Sequence, residues 1–454
     1  MNDRTGDAAA SLPLPYRILN TFTEVRRGEA VTLLALALNV FLILTAYYLI
    51  KPVREALILS VPDGAEMKSY AAAGQALLLL IAVPAYGWLA GRVRRMRLID
   101  SVTLFFVTCL VAFYALIRAG VPVAIPFFLW VGIFNLMVPA QFWAFANDVY
   151  TPEAGKRLFV LIAFGASSGA VCGSFLADEM IRFVGVYEML LAGAALLATT
   201  LALSHFVDRR ERPASQSPGQ SGAAADTADT AMLEPGSAFG FVFRNRYLLL
   251  LAVMLLLNNW VNSSGEYILG RIVKEAAAAA ASQPGGVHED AFIAAFYARY
   301  FGAVNLAGML LQLFLVSRMI KYIGVHVAVC ILPLVALGSY VAIAAMPLLG
   351  IVRWMKTAEN SIDYSLQGTV KQVLYLPTTR TEKYKAKQAI DTFFVRLGDV
   401  CSAALVLAGT HLLSFGVREF ATVTACIAAL WLLLAVAVGR RFRALAPDTE
   451  ENRR

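Results

Sequence analysis

The chain is poor in charge. Of its 454 residues 15% are Asp, Glu, Lys or Arg and 59% are hydrophobic, where an ordinary soluble domain carries roughly 25% charge. With a mean hydropathy of +0.65, this excludes a typical soluble globular protein and points to an integral membrane protein. Cysteine is scarce too. Cys109, Cys172, Cys330, Cys401 and Cys426 all lie within apolar runs, odd in number and without paired spacing. That favours packing over a disulfide framework or metal ligation. The four histidines (His205, His288, His326, His411) are scattered, and HExxH, CxxC pairs and glycine-rich phosphate loops are absent. No metal or cofactor is expected, and no loop groups acids or histidines as an enzyme would. Residues 1–30 are polar and amphipathic without an apolar core, so they do not read as a signal peptide. The net charge of +8 does not point to nucleic acid, because the Lys and Arg cluster in short loops between apolar segments, where they set topology.

Long apolar segments fill the rest. Six run over about 30–51, 69–90, 98–118, 122–146, 158–178 and 187–206, and six more over about 244–268, 292–316, 325–346, 349–377, 388–412 and 419–439. Between the two sets, 208–238 is rich in Pro, Gly, Ser, Ala and Asp and reads as a flexible linker. The domains expected are a cytoplasmic amphipathic N-terminus at 1–29, with a surface helix at 12–28, a bundle at 30–207, the linker at 208–238, a second bundle at 239–440 and a tail at 441–454. Basic loops at Arg92, Arg94, Arg95 and Arg97, at Lys156 and Arg157, at Arg318 and Lys321, and at Arg380, Lys383, Lys385 and Lys387 mark the cytoplasmic side by the positive-inside rule. Both termini and the linker are therefore expected inside, and 274–290 outside, in a bacterial inner (plasma) membrane. Gly165, Gly169 and Gly173 form a small-residue ladder suited to close helix packing.

The two halves repeat. LNVFLILTAYYLI (38–50) matches LNNWVNSSGEYIL (257–269), with Asn39 over Asn258 and Tyr48 over Tyr267. GAVC (169–172) matches GDVC (398–401), and Arg92 and Arg318 head equivalent loops. The offsets all fall at roughly 220–230 residues, so both halves run in the same order and sense. The expected fold is thus an all-α membrane protein of 12 transmembrane helices in a 6+6 parallel repeat. That organisation resembles the major facilitator transporters, in which the first, fourth, seventh and tenth helices line a central cavity.

The tenth segment, IVRWMKTAENSIDYSLQGTVKQVLYLP, is the most polar. On a helix, Arg353, Lys356, Asn360, Tyr364, Gln367 and Lys371 fall in one stripe, flanked by Glu359 and Asp363. Charge inside a span is costly and marks function. Lys51 and Arg54 on the first helix, and Glu266 and Arg271 on the seventh, are further candidate cavity charges. Basic groups at several depths suit an anionic solute. The acids Glu266, Glu359 and Asp363 are candidates for neutralising those cations or for coupling. Intraprotein pairing of Lys356 with Asn360 or Glu359, and of Arg396 with Asp399, competes with that reading. Arg353, Lys356 and Lys371 would repel one another and the basic residues of the first helix if the cavity closed without an anion.

Three blocks resemble the ATP/ADP translocases of plastids and intracellular bacteria: YYLIKPVREALIL, FWAFANDVYTPEAGKRLF and DYSLQGTVKQVLYLPTTRTEKYKAKQAID. The resemblance implies nucleotide exchange. It assigns substrate roles to Arg54, Glu266 and Lys371, while the acid expected in the fourth helix is missing from LWVGIFNLMVPAQFW. Tyr47, Tyr48, Trp143 and Tyr364 are possible base-stacking partners. The expected substrate-binding set is Lys51, Arg54, Glu266, Arg353, Lys356, Asn360, Tyr364 and Lys371. The expected partners are a small anionic, nucleotide-like solute and the bilayer, and the chain is expected to act as a monomer. The alternatives are a proton-coupled carrier of another organic anion, with Glu266 or Glu359 carrying the proton, and a lipid flippase.

Overall fold

The computed structural model describes residues 25–26, 28–211, 235–378 and 386–445. The expected surface helix at 12–28 and most of the linker lie outside these residues. Among the described residues the chain is helical throughout. The first six long helices are α1 (Glu29–Leu59), α2 (Gly64–Ala90), α3 (Arg95–Arg118), α4 (Ala124–Val149), α5 (Pro152–Phe183) and α6 (Met189–Glu211). A short helix, Pro235–Arg244, leads into α7 (Arg246–Ala281), α8 (Glu289–Ile323) and α9 (Val325–Ala345). Next come α10, made of Leu349–Ile362, a π turn at Asp363–Gln367 and Gly368–Leu374, then α11 (Ala386–His411) and α12 (Val417–Leu445).

Eleven of these helices are long and apolar enough to cross a membrane. The twelfth, α10, falls outside that set because its charges lower its hydropathy, and charge is also what made it conspicuous in the sequence. Several helices outrun their apolar segments. α1 continues past Pro52 to Leu59, where the apolar run stops at Lys51 and the proline suggested a kink or an end. Pro84, Pro139 and Pro333 likewise lie inside helices, as membrane helices tolerate when neighbours satisfy the freed backbone groups. α6 carries Asp208–Glu211 in its last turn, so the first residues assigned to the linker are helical.

The chain forms two compact units. One holds residues 1–51, 87–121 and 134–224; the other holds 52–86, 122–133 and 225–454. In the first unit α5 lies against α1 through the glycine ladder. A Cβ at Gly165, Gly169 or Gly173 would come within 2.6, 2.3 and 2.7 Å of the carbonyl oxygens of Ala37, Phe41 and Thr45. Asn39 Nδ2 donates to Thr200 O at 3.1 Å and to Ser204 Oγ at 2.9 Å, tying α1 to α6.

In the second unit α7 packs on α11 and α12, and α9 on α12. The same device recurs there: a Cβ at Gly398 on α11 would lie 2.7 Å from Leu256 O and 2.8 Å from the Trp260 nitrogen on α7. Gly169 and Gly398 are the matched glycines of GAVC and GDVC. Phe41 and Trp260 each stand two residues beyond the matched Asn39 and Asn258. The internal repeat is therefore physical: in each half the same glycine lets its helix close on the same place of an equivalent partner.

Candidate functional site

The second unit buries a connected set of charges. Arg54 and Glu55 sit on the last two turns of α1, beyond Pro52. The Arg54 guanidinium bonds the Glu55 carboxylate, with its Nε at 3.0 Å, and lies 4.8 Å from the centre of the Phe128 ring. Glu55 is fully buried. Lys68, one turn into α2, places Nζ 2.7 Å from Glu55 Oε2 and 3.4 Å from Glu266 Oε2 on α7. Its ammonium also lies 5.2 Å from the Tyr297 ring centre, where an aromatic face favours a cation. Glu266 accepts a bond from Asn360 Nδ2 at 3.1 Å, and the same amide donates to Tyr300 Oη at 2.7 Å. One chain of contacts thus runs through α1, α2, α7, α10 and α8.

A second pair lies deeper on α10. Lys356 is 0% exposed and Glu359 3%. Their Nζ and Oε1 are 3.0 Å apart, Asn262 Oδ1 accepts from Lys356 at 3.2 Å, and Tyr340 Oη donates to Glu359 at 3.0 Å. Gly265 makes the room: a Cβ there would fall 2.0 Å from Tyr340 Oη and 2.8 Å from Lys356 Nζ. Buried charges persist only when paired and hydrogen-bonded, and every charge in this cluster meets that condition.

The candidate residues distribute unevenly. Arg54, Glu266, Lys356, Glu359 and Asn360 join the two groups just described. Asp363 lies near Asn258 of α7. Lys371 pairs instead with Asp391, 2.5 Å away at the start of α11, inside another π turn, Ile390–Phe394. Arg353 lies 5.9 Å from the Phe296 ring centre and 5.7 Å from that of Trp354. Lys51 belongs to the first unit, with its ammonium 5.8 and 5.2 Å from the ring centres of Tyr47 and Tyr48. Arg271 bonds Tyr267 Oη and Phe415 O at 3.3 and 3.0 Å.

The stripe of α10 passes through the π turn at 363–367, with Tyr364 51% exposed beside Gly308. One expectation is corrected: the cluster is not a set of mutually repelling cations, since Arg54, Lys68, Lys356 and Lys371 each have a carboxylate partner. The pairing of Arg396 with Asp399, at 3.5 Å, is present as well, with Asn259 and Ser263 also donating to Asp399.

Glu55, Lys68, Asn262, Gly265, Tyr297, Tyr300 and Tyr340 escaped the sequence reading. Lys68 fell just before the apolar segment starting near 69, so it looked like a flank. Glu55 looked like the residue that ended α1. Their signal was charge of both signs within one helical hairpin at its turn, which gains meaning only once α7 is beside it.

No family model matches the sequence, and no curated protein does. Solved structures match across almost the whole chain. A bacterial homologue of the human lysosomal transporter Spinster, in an inward-facing and unoccupied conformation, superposes with a TM-score of 0.61 at 13% identity, covering 93% of this chain and 99% of the other. The nucleoside transporter NupG gives 0.61 at 12% identity, over 91% and 98%. A POT-family transporter in complex with 5-aminolevulinic acid gives 0.62 at 14%, over 90% and 96%. The fold is shared with these solved transporters: all-α and multi-pass, with twelve long helices among the described residues. Identities this low carry the fold and not the solute.

Proposed function

We propose that the protein is a secondary transporter working by alternating access, and that its solute is a phosphorylated, nucleotide-like anion exchanged across a bacterial inner membrane. The observation that supports this most is the buried, balanced ion network of α1, α2, α7 and α10. A membrane protein gains little from burying Lys68, Lys356, Glu55 and Glu359 together, with Glu266 half-buried beside them, unless the charges do work, since apolar residues would fill the same space at no desolvation cost. Here each lysine is held by a carboxylate that a phosphate can replace. An arriving anion takes over Lys68, Lys356 or the Arg54 guanidinium, and the displaced carboxylate lets go of its partner. The Glu55–Lys68–Glu266 bridge, which ties residues 52–86 to α7, then opens. Without an anion nothing competes for the lysines and the bridge stays shut. A switch needs this kind of differential interaction with its two states, and it makes return without cargo slow. The chain is taken as a monomer with both termini inside and without enzymatic activity.

One observation favours a second reading, proton coupling. Glu359 and Glu266 each hold a buried lysine, so protonating either carboxylate would release that lysine as an anion does.

The direct test is a thermal-shift screen of the purified protein against nucleotides, sugar phosphates, dicarboxylates and phospholipids. A ligand at 100 times its Kd stabilises by ~2.7 kcal/mol. The expected result is a shift with ADP and ATP that disappears in Lys356→Met. A shift with dicarboxylates alone moves the reading to another organic anion, and a shift with phospholipid alone moves it to a flippase.

A further inference from the structure

We propose that Gln367 is a specificity-determining residue whose amide hydrogen-bonds the planar, neutral head of the transported solute, a nucleobase or a carboxamide-like edge with donor and acceptor side by side. The assignment rests on the transport reading above and names the part of the solute that α10 would read.

Three observations carry it. First, Gln367 is 3% exposed, and both its Oε1 and its Nε2 are buried without a hydrogen-bond partner. Among the described residues it is the only buried amide with both ends unmet. A buried amide with no partner bears its full desolvation penalty, so the residue is a poor choice for a merely structural position. Second, Gln367 closes the π turn Asp363–Gln367. Such turns are uncommon and recur at functional sites. This one packs on α8, against that helix's own π turn at Gln312–Val316. Third, Lys371 follows one turn later on the same side of α10, about 6 Å along the axis. A solute with more than one anionic group, one of which takes Lys371 from Asp391, brings a neighbouring planar head to Gln367. A primary amide matches a head that offers an adjacent donor and acceptor, in the bidentate manner by which Gln reads adenine edges elsewhere. Asn360 Oδ1, also buried and unpartnered, adds an acceptor on the preceding part of the helix.

The test uses the full-length protein in detergent and the variant Gln367→Met, which keeps the volume and removes the amide. Binding of ADP and of inorganic pyrophosphate is measured by calorimetry, and melting temperature is measured without ligand. The expected result is that ADP binds about tenfold or more weakly to the variant. Pyrophosphate, which has no head, should bind within about twofold of wild type. The ligand-free variant should melt at a higher temperature, because an unmet amide is gone. Equal losses for both ligands, an unchanged ADP affinity, or a lower melting temperature would each overturn the assignment while leaving nucleotide transport standing. Wild-type protein that binds no ADP would overturn both.

Discussion

Lys356 and Glu359 are the residues on which the electrostatics of α10 turn. Removing one partner of a wholly buried pair leaves an uncompensated charge, typically at a cost of about 3–5 kcal/mol. Lys356→Met alone and Glu359→Gln alone should both lower the melting temperature of the purified protein. The double variant should recover most of that loss, because it removes both charges at nearly constant volume. None of the three should transport. A double variant no more stable than either single one would show that the two side chains do not depend on each other. Gly265→Ala tests the same spot from α7. Its methyl group would collide with Tyr340 Oη and crowd Lys356 Nζ, so transport should fall even though the substitution is small. These residues were unequally legible in the sequence. Lys356 and Glu359 stand out because charge in a span is rare and because they are three apart. Gly265 and Tyr340 do not stand out, since a glycine and a tyrosine in an apolar run look like packing until a lysine is placed against them.

At the scale of helices, the paired glycines make the clearest prediction. Gly169 and Gly398 hold α5 to α1 and α11 to α7 at backbone contact. Replacing either by leucine forces those helices apart, and overpacking of this kind costs roughly 1–3 kcal/mol or more. Each variant should lose folded yield in detergent, measured by size-exclusion profile, while Gly338→Leu, at a glycine open to space, should not. The repeat was readable from four short matches because it rests on contacts that tolerate few residue types. A π turn has no compositional signature, so a wheel drawn at constant pitch drifts beyond Gln367. The partnership of Lys371 with Asp391 was hidden for a related reason. Asp391 sits in another π turn, Ile390–Phe394, where sequence periodicity does not place it.

For the whole molecule, twelve long helices among the described residues and their apolar character followed from composition, and the fold shared with the solved transporter structures agrees. The two compact units cut across the halves expected from the linker, with 52–86 and 122–133 grouped with the later helices. No sequence pattern announces that grouping. It is visible only through contacts such as Lys68–Glu266 and Tyr267 Oη to Glu66 Oε1 at 2.9 Å. If the bridge from Glu55 through Lys68 to Glu266 opens during transport, then cysteines placed at Glu66 and Tyr267 and cross-linked should stop uptake, and reduction should restore it. Uptake that continues after complete cross-linking would rule out movement at this bridge.

The central claim, that an anion must occupy the network before it opens, is tested most directly by counterflow. Purified protein is reconstituted into liposomes, some loaded with unlabelled ADP and some empty, and uptake of labelled ADP is followed with and without an imposed pH gradient. The account predicts rapid uptake into loaded liposomes, almost none into empty ones, and no effect of the gradient. Empty liposomes filling at the same rate, or uptake driven only by the pH gradient, would contradict it.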